Sequence, residues 1–190
     1  MKYKITALAA SILLSFGALS LYIIDVNKDS KAKTENKLGY DYLKGIGVPR
    51  NYVTADYLFQ KAAQQGLAAA ERRLGYSYYD GRGVQQSYTK AVYWWKKSAK
   101  QGDADAENNL GYCYSAGQDV PQSYTKAVYW WRKAANQGNG RAEGKLGISY
   151  YKGQGVPKNF TKALYWLKKS ANTGYYGYKH IIHKIERMGF

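Results

Sequence analysis

A pattern of 36 residues occurs four times in succession, and no other feature of the chain restricts its fold as strongly. Leu-Gly stands at Leu38-Gly39, Leu74-Gly75, Leu110-Gly111 and Leu146-Gly147, and an Ala follows at Ala55, Ala91, Ala127 and Ala163. Each copy closes on a glycine, at Gly66, Gly102, Gly138 and Gly174, with no insertion or deletion between residues 31 and 174. A unit this short cannot bury an apolar face alone, so repetition at this interval predicts a stack in which each copy covers its neighbour.

Within the third copy, helical spacing runs over 104–116, a turn over 117–122, and a second helix over 123–137. The turns hold Asn51, Ser87, Ser123 and Asn159 at one register, residue types whose side-chain oxygen caps the first amides of a helix. The closing glycines sit where helices end in a left-handed residue. Glycine inside the first helix, at Gly39, Gly75, Gly111 and Gly147, costs about 1 kcal/mol relative to Ala, which predicts close approach of the second helix as the compensating gain.

The expected fold is all-α: a right-handed α/α solenoid of four 36-residue two-helix repeats, 31–66, 67–102, 103–138 and 139–174. Asp119 stands where the other turns have Gly47, Gly83 and Gly155, which predicts a third turn of different shape. Residues 175–190 are expected to form a C-terminal capping helix, with 176–188 aligned to the first helix of a fifth unit, Ile182 on its Leu position and His183 on its Gly position.

The order Leu110-Gly111-Tyr112-Cys113-Tyr114, Gly117, Val120, then residues 126–138 (KAVYWWRKAANQG) resembles the Sel-1-like repeat family, relatives of the tetratricopeptide repeats. The resemblance covers residues 31–174. It implies a non-catalytic adaptor that mediates protein–protein interaction, and exported bacterial members include regulators of membrane sensor proteins and host-interaction factors. Members linked to β-lactam binding look different, carrying a Cys pair in each repeat that this chain lacks.

Lys2 and Lys4 precede residues 5–24, which carry no charge, so residues 1–24 read as a signal peptide or an N-terminal membrane anchor, followed by a linker at 25–30. Ala18-Leu19-Ser20 places small residues where a signal peptidase reads them, so cleavage would follow Ser20. The protein is therefore expected to be exported, periplasmic or secreted, with inner-membrane anchoring and membrane contact through residues 5–24 as the alternative. A net charge of +16 favours anionic partners. Cys113, the single cysteine, has no intramolecular partner and is expected to be a buried, inert thiol.

Catalytic chemistry finds no footing. His180 and His183 share a helix face but lack companion ligands, so no metal site is expected, and no nucleophile has a recognisable partner. No cofactor is expected. The pairs Trp94-Trp95 and Trp130-Trp131, with Trp166, alternate with alanines at helical spacing and are expected to lie in the core between repeats.

A helical wheel of the first helices leaves a free face holding Lys37 and Tyr40 in the first unit, Arg72, Arg73, Tyr76 and Tyr79 in the second, Asn108, Asn109 and Tyr112 in the third, and Arg141, Lys145 and Tyr151 in the fourth. In tetratricopeptide architecture the first helices line the concave surface, so the resemblance implies that these residues share one groove. Across the aligned positions this face carries eight Lys or Arg against two Asp, with five Tyr among them, which favours an acidic segment of a partner protein. An anionic envelope glycan or lipid is the alternative ligand, and nucleic acid ranks third.

Overall fold

A computed structural model of the protein describes residues 16–190, so most of the charge-free segment read as a signal or anchor lies outside the described residues. Helix α1 spans Phe16–Lys44 and α2 Tyr52–Gln64, α3 Ala68–Asp80 and α4 Tyr88–Lys100, α5 Ala104–Ala116 and α6 Tyr124–Asn136, α7 Gly140–Lys152 and α8 Phe160–Asn172. A single 3-10 turn at Tyr176–Tyr178 leads into α9, Lys179–Glu186. Among the described residues there is no strand, and each helix packs on the ones before and after it, which makes an all-α solenoid. No described helix is long and apolar enough to cross a membrane. Residues 25–30, expected as a linker, continue α1 without a break, because nothing in Asp25-Val26-Asn27-Lys28-Asp29-Ser30 stops a helix.

The helix starts follow from their caps. Asn51, Ser87, Ser123 and Asn159 are extended, and their side chains accept hydrogen bonds from the amides of Thr54, Lys90, Lys126 and Lys162. Asp103 and Asn139 do the same for α5 and α7, a second set of caps that the turn pattern did not reveal. Asp119 adopts φ 58°, the left-handed region that Gly83 and Gly155 occupy at 73°, so the third turn keeps the common shape. Asp is among the few side chains that tolerate this region, and its carboxylate accepts a hydrogen bond from the Thr89 hydroxyl of the preceding unit.

The packing of each unit is set on its central glycine. A Cβ at Gly75 would lie 2.2 Å from Trp95 Nε1, and one at Gly111 2.4 Å from Trp131 Cδ1, so the indoles occupy the space that a side chain would need. Phe59 and Leu167 take the same seat over Gly39 and Gly147. The second Trp of each pair therefore lies buried inside its own unit rather than between repeats, while Trp94 and Trp130 are half-buried and pack against neighbouring core clusters. Leu74, Leu110 and Leu146 are buried between units, whereas Leu38 is exposed, since no described second helix precedes α1.

Three buried carboxylates join the two helices of successive units. Glu71, Glu107 and Glu143 are at most 1% exposed and face Lys97, Lys133 and Lys169 of their own units at 3.5, 3.0 and 3.2 Å. Gln101 and Gln137 each donate to Glu71 and Glu107 at 2.8 Å, and Gln65 donates to Glu35 in the first unit. Lysine and amide together offset the lost water of Glu71 and Glu107, whereas Glu143, with Thr173 at the aligned position, has its lysine alone.

The C-terminal segment differs from a straight fifth helix. Tyr175 and Tyr178 turn back over α7, where a Cβ at Gly140 or Gly144 would collide with their rings, and only then does α9 begin. Ile182 and Ile185 of α9 are buried against the last unit, and His183 points outward. Two glycines in α7 thus create the room for the cap.

Asp56 of α2 stands where the later units have Val92, Val128 and Leu164. It is buried, accepts a hydrogen bond from Ser77, and has no partner for Oδ2. Burial pushes its carboxyl up to about 6, against the weaker opposing pull of Ser77. Between about pH 4 and 6 the folded state then binds more protons than the unfolded chain, so this group's contribution falls as pH rises through that window. Asp56→Val should remove this dependence and raise stability near pH 7 by about 1–3 kcal/mol, read by urea unfolding at both ends of the window. Gly111→Ala should do the reverse: helix preference alone favours Ala by about 1 kcal/mol, yet displacement of Trp131 should leave a net loss of about 1–3 kcal/mol and a lower Tm.

Candidate functional site

The first helices turn a strip of side chains away from the core, and the repeat brings these strips into register. Tyr40 of α1 and Arg72, Arg73 and Tyr76 of α3 line a cavity of 530 Å³, floored by Phe59 and bordered by Asp80 and Arg141. Beside it lies a second cavity of 240 Å³, lined by Asn108, Asn109 and Tyr112 of α5, Arg141 and Lys145 of α7, and Trp131. Arg141 borders both, so one hollow runs along the first helices from α1 to the C-terminal cap.

Three residues of the expected strip stand apart from this hollow. Lys37 is exposed on α1 outside the lining. Tyr79 packs its ring on Tyr88 and Trp95, at centroid distances of 5.3 and 5.4 Å, and Tyr151 leans on Phe160 at 5.8 Å. Phe59 and Trp131 of the second helices add to the lining, and Tyr175 and Tyr178 of the cap close the C-terminal end. The two cap tyrosines follow the closing glycine of the last copy, so periodicity carried no signal for them.

The two adjacent arginines of α3 have different tasks. Arg72 Nε donates to Asp103 at 2.9 Å, and its Nη1 lies 3.4 Å from Asp105, so it ties the second unit to the N-terminal cap of α5. Burial opposes its charge, but Asp103 and then Asp105 outweigh that and raise its pKa. Arg73 has no acid beside it. Its guanidinium lies over the rings of Tyr40 and Phe59, at 4.4 and 5.4 Å, while burial, and then the charge of Arg72, lower its pKa.

Three donors in the hollow have no acceptor among the described residues. Arg73 Nε, Asn109 Nδ2 and Trp131 Nε1 are buried without a hydrogen-bond partner. Unpaired buried donors are uncommon in folded proteins, and here all three belong to residues that line the same depression. Arg141 and Lys145 are exposed beside them, with Arg141 5.8 Å from the Tyr175 ring. The chemistry on offer is hydrogen-bond donation and positive charge between tyrosine rings, which suits a ligand rich in carbonyl or carboxylate oxygens.

Groups that could support catalysis do not converge here. Among the described residues no set of three His, Cys, Asp or Glu could hold a metal ion. His183 Nδ1 lies 3.6 Å from Glu186 on the exposed side of α9. Cys113 is buried, and burial, followed by Asp119, pushes its thiol up to about 11, far from a reactive thiolate.

The Sel1 repeat model matches residues 32–67, 68–103, 104–139 and 140–175, a frame one residue later than that set by the closing glycines. Among solved structures, a protective antigen present in uropathogenic Escherichia coli strains, described as displaying an SLR fold, is 33% identical with a TM-score of 0.80. That match covers 84% of this chain and 34% of the antigen. A Sel1 repeat protein from Oxalobacter formigenes is 32% identical with a TM-score of 0.78, over 83% of this chain and 64% of the other. Cysteine rich protein B of Helicobacter pylori shares the fold at 23% identity and a TM-score of 0.52, over 63% of this chain and 90% of its own. The chain thus spans about a third and just under two thirds of the first two proteins. No curated protein sequence matches it.

The division of labour between the arginines is open to test. Arg72→Leu should lower stability by about 1–2 kcal/mol, because Asp103 would lose its partner at a largely buried interface, whereas Arg73→Leu should change it by less than half as much. Chemical denaturation of the two variants would reveal the difference, and equal losses would remove the strut role of Arg72.

Proposed function

The chain belongs to the Sel1 repeat family, whose members mediate contacts between proteins, and on that premise we propose that it is a non-catalytic adaptor whose first-helix hollow grips an acidic segment of a partner protein. The observation that carries the proposal is the set of three unpaired buried donors, Arg73 Nε, Asn109 Nδ2 and Trp131 Nε1, in a depression flanked by the exposed cations Arg141 and Lys145. An extended or helical segment bearing carboxylates would give these donors acceptors and place its backbone or apolar side chains on Tyr40, Tyr76 and Tyr112. Tyrosine supplies large contact area with only two side-chain torsions to fix, and arginine a planar fork for carboxylates, so both anchor interfaces efficiently.

The partner is expected in the cell envelope or on a host cell, since residues 1–24 carry the marks of an export signal or an inner-membrane anchor. The protein would then act in the periplasm or after secretion. The tyrosines of the cap set one end of the hollow, so a bound segment runs from α1 toward Tyr178 rather than past it.

The decisive experiment compares the wild type with a variant carrying Arg73→Glu, Arg141→Glu and Lys145→Glu as baits in envelope extract, with captured proteins identified by mass spectrometry. Arg72 is left intact so that the stack survives, which circular dichroism would verify. A genuine partner should be lost at least about tenfold from the triple variant. Equal capture by both baits would eliminate the hollow as the binding surface.

A further inference from the structure

The excess positive charge of this protein does not lie on its first helices. Helices α1, α3, α5 and α7 together carry ten basic and nine acidic residues. Helices α2, α4, α6 and α8 carry eleven basic residues and one acid, the buried Asp56. Lys97, Lys133, Lys168 and Lys169 are paired with glutamates, and the other seven leave the second helices with the more basic surface, separate from the hollow. Residues two apart on a helix point about 200° away from each other, so a side chain two positions before Trp95 or Trp131 turns away from the first-helix layer.

Tyrosine occupies that position in all four units. Tyr57, Tyr93, Tyr129 and Tyr165 are 57, 55, 56 and 58% exposed, a constancy that no core contact explains. Each of the last three stands edge-on to the next aromatic: Tyr93 to Trp94 and Tyr129 to Trp130 at 5.1 Å and 78°, Tyr165 to Trp166 at 5.0 Å and 80°. That contact fixes the ring while leaving it accessible. Beside Tyr129 the surface is indented, forming a cavity of 440 Å³ lined by Tyr129, Arg132, Lys133 and Asn136 against Val128 and Val156. Such a volume falls within the range of small-ligand sites, roughly 300–1,000 Å³.

We infer that this outer face binds an anionic polysaccharide, laid across the second helices with one acidic sugar seated beside Tyr129 and Arg132. The ring C–H bonds of a sugar are weakly positive and meet the negative face of a tyrosine, while carboxylate or sulfate groups meet the cations between the rings. The composition of the face favours this ligand over other polyanions. Ten of its eleven cations are Lys, flexible point charges that do not select among acid groups, so the evenly exposed tyrosine rings, which meet the C–H bonds of a sugar, carry the preference. A bilayer would require exposed Trp, Phe or Leu to insert, yet Trp94 and Trp130 are half-buried and the exposed rings carry hydroxyls.

Titration calorimetry of the full protein with polygalacturonate at physiological salt tests the inference, with neutral pullulan, oligothymidylate and phosphatidylglycerol vesicles as comparisons. Polygalacturonate should bind and pullulan should not. Tyr129→Ser should weaken binding at least about tenfold, and Arg132→Gln by a similar factor, with helical content unchanged. Tyr93→Ser, in the neighbouring unit, should weaken it by a smaller factor. Arg73→Glu, in the hollow, should leave it intact, which separates this surface from the adaptor reading. Absence of binding, an undiminished affinity in the tyrosine variants, or tighter binding to oligothymidylate or to vesicles would each overturn it.

Discussion

An aromatic ring resting on a helix backbone, where a Cβ would otherwise stand, is the contact from which the rest of this structure proceeds. At Gly75 and Gly111 the indoles of Trp95 and Trp131 approach to within 2.2–2.4 Å of that missing atom's position. The two helices of a unit can then close to the distance at which alanines such as Ala91, Ala99 and Ala106 pack with no exposed surface. Where an aliphatic side chain replaces the ring, as with Leu167 over Gly147, the same seat is kept. Close packing of this kind transmits shape: the angle within one unit fixes where the next can lie, and four equal units give an even stack.

That even stack decides which charges are available. Buried Glu71, Glu107 and Glu143 draw Lys97, Lys133 and Lys169 toward the first helices, and Arg72 is drawn to Asp103 and Asp105. Acidic charge on the first helices is therefore largely consumed in holding the stack. What remains in the hollow is directional: three donors lacking acceptors, a few exposed cations and a set of tyrosines. On the second helices Lys97, Lys133 and Lys169 answer the buried glutamates and Lys168 pairs with Glu186, while the remaining cations make no ion pair among the described residues and their mutual repulsion is weakened by water and salt.

The repeat was legible because it was written four times: the helix ends, the caps at Asn51, Ser87, Ser123 and Asn159, and the glycine seats all follow from spacing alone. The sites were less legible, since they depend on neighbours from other units. Arg72 looks like a free cation on a helical wheel, and only its Asp103 partner, 31 residues on, reveals it as a strut. Tyr79 and Tyr151 fall on the free side of their helices but are covered by Tyr88, Trp95 and Phe160 from second helices. The buried glutamates recur at the repeat interval, yet a carboxylate at that spacing reads as surface until Lys and Gln from the second helix are seen to close over it. A terminal helix could be read by alignment to a fifth unit, but not the turn that leads into it, because Tyr175 and Tyr178 depend on Gly140 and Gly144, which only the fourth unit possesses.

Two surfaces with different physics follow from one construction. The hollow lies where the units differ: Arg72-Arg73 in the second, Asn108-Asn109 in the third, Gly144-Lys145 in the fourth, so each turn of a ligand meets different chemistry and recognition can be selective. The outer face lies where the units agree, with a tyrosine of nearly constant exposure on every second helix. Agreement from unit to unit suits a ligand that is itself repetitive, for which many weak, equal contacts add through proximity rather than through any single strong one. Variation in the first helices and constancy in the second are therefore what a selective grip on one face and a broad adhesion on the other would each require.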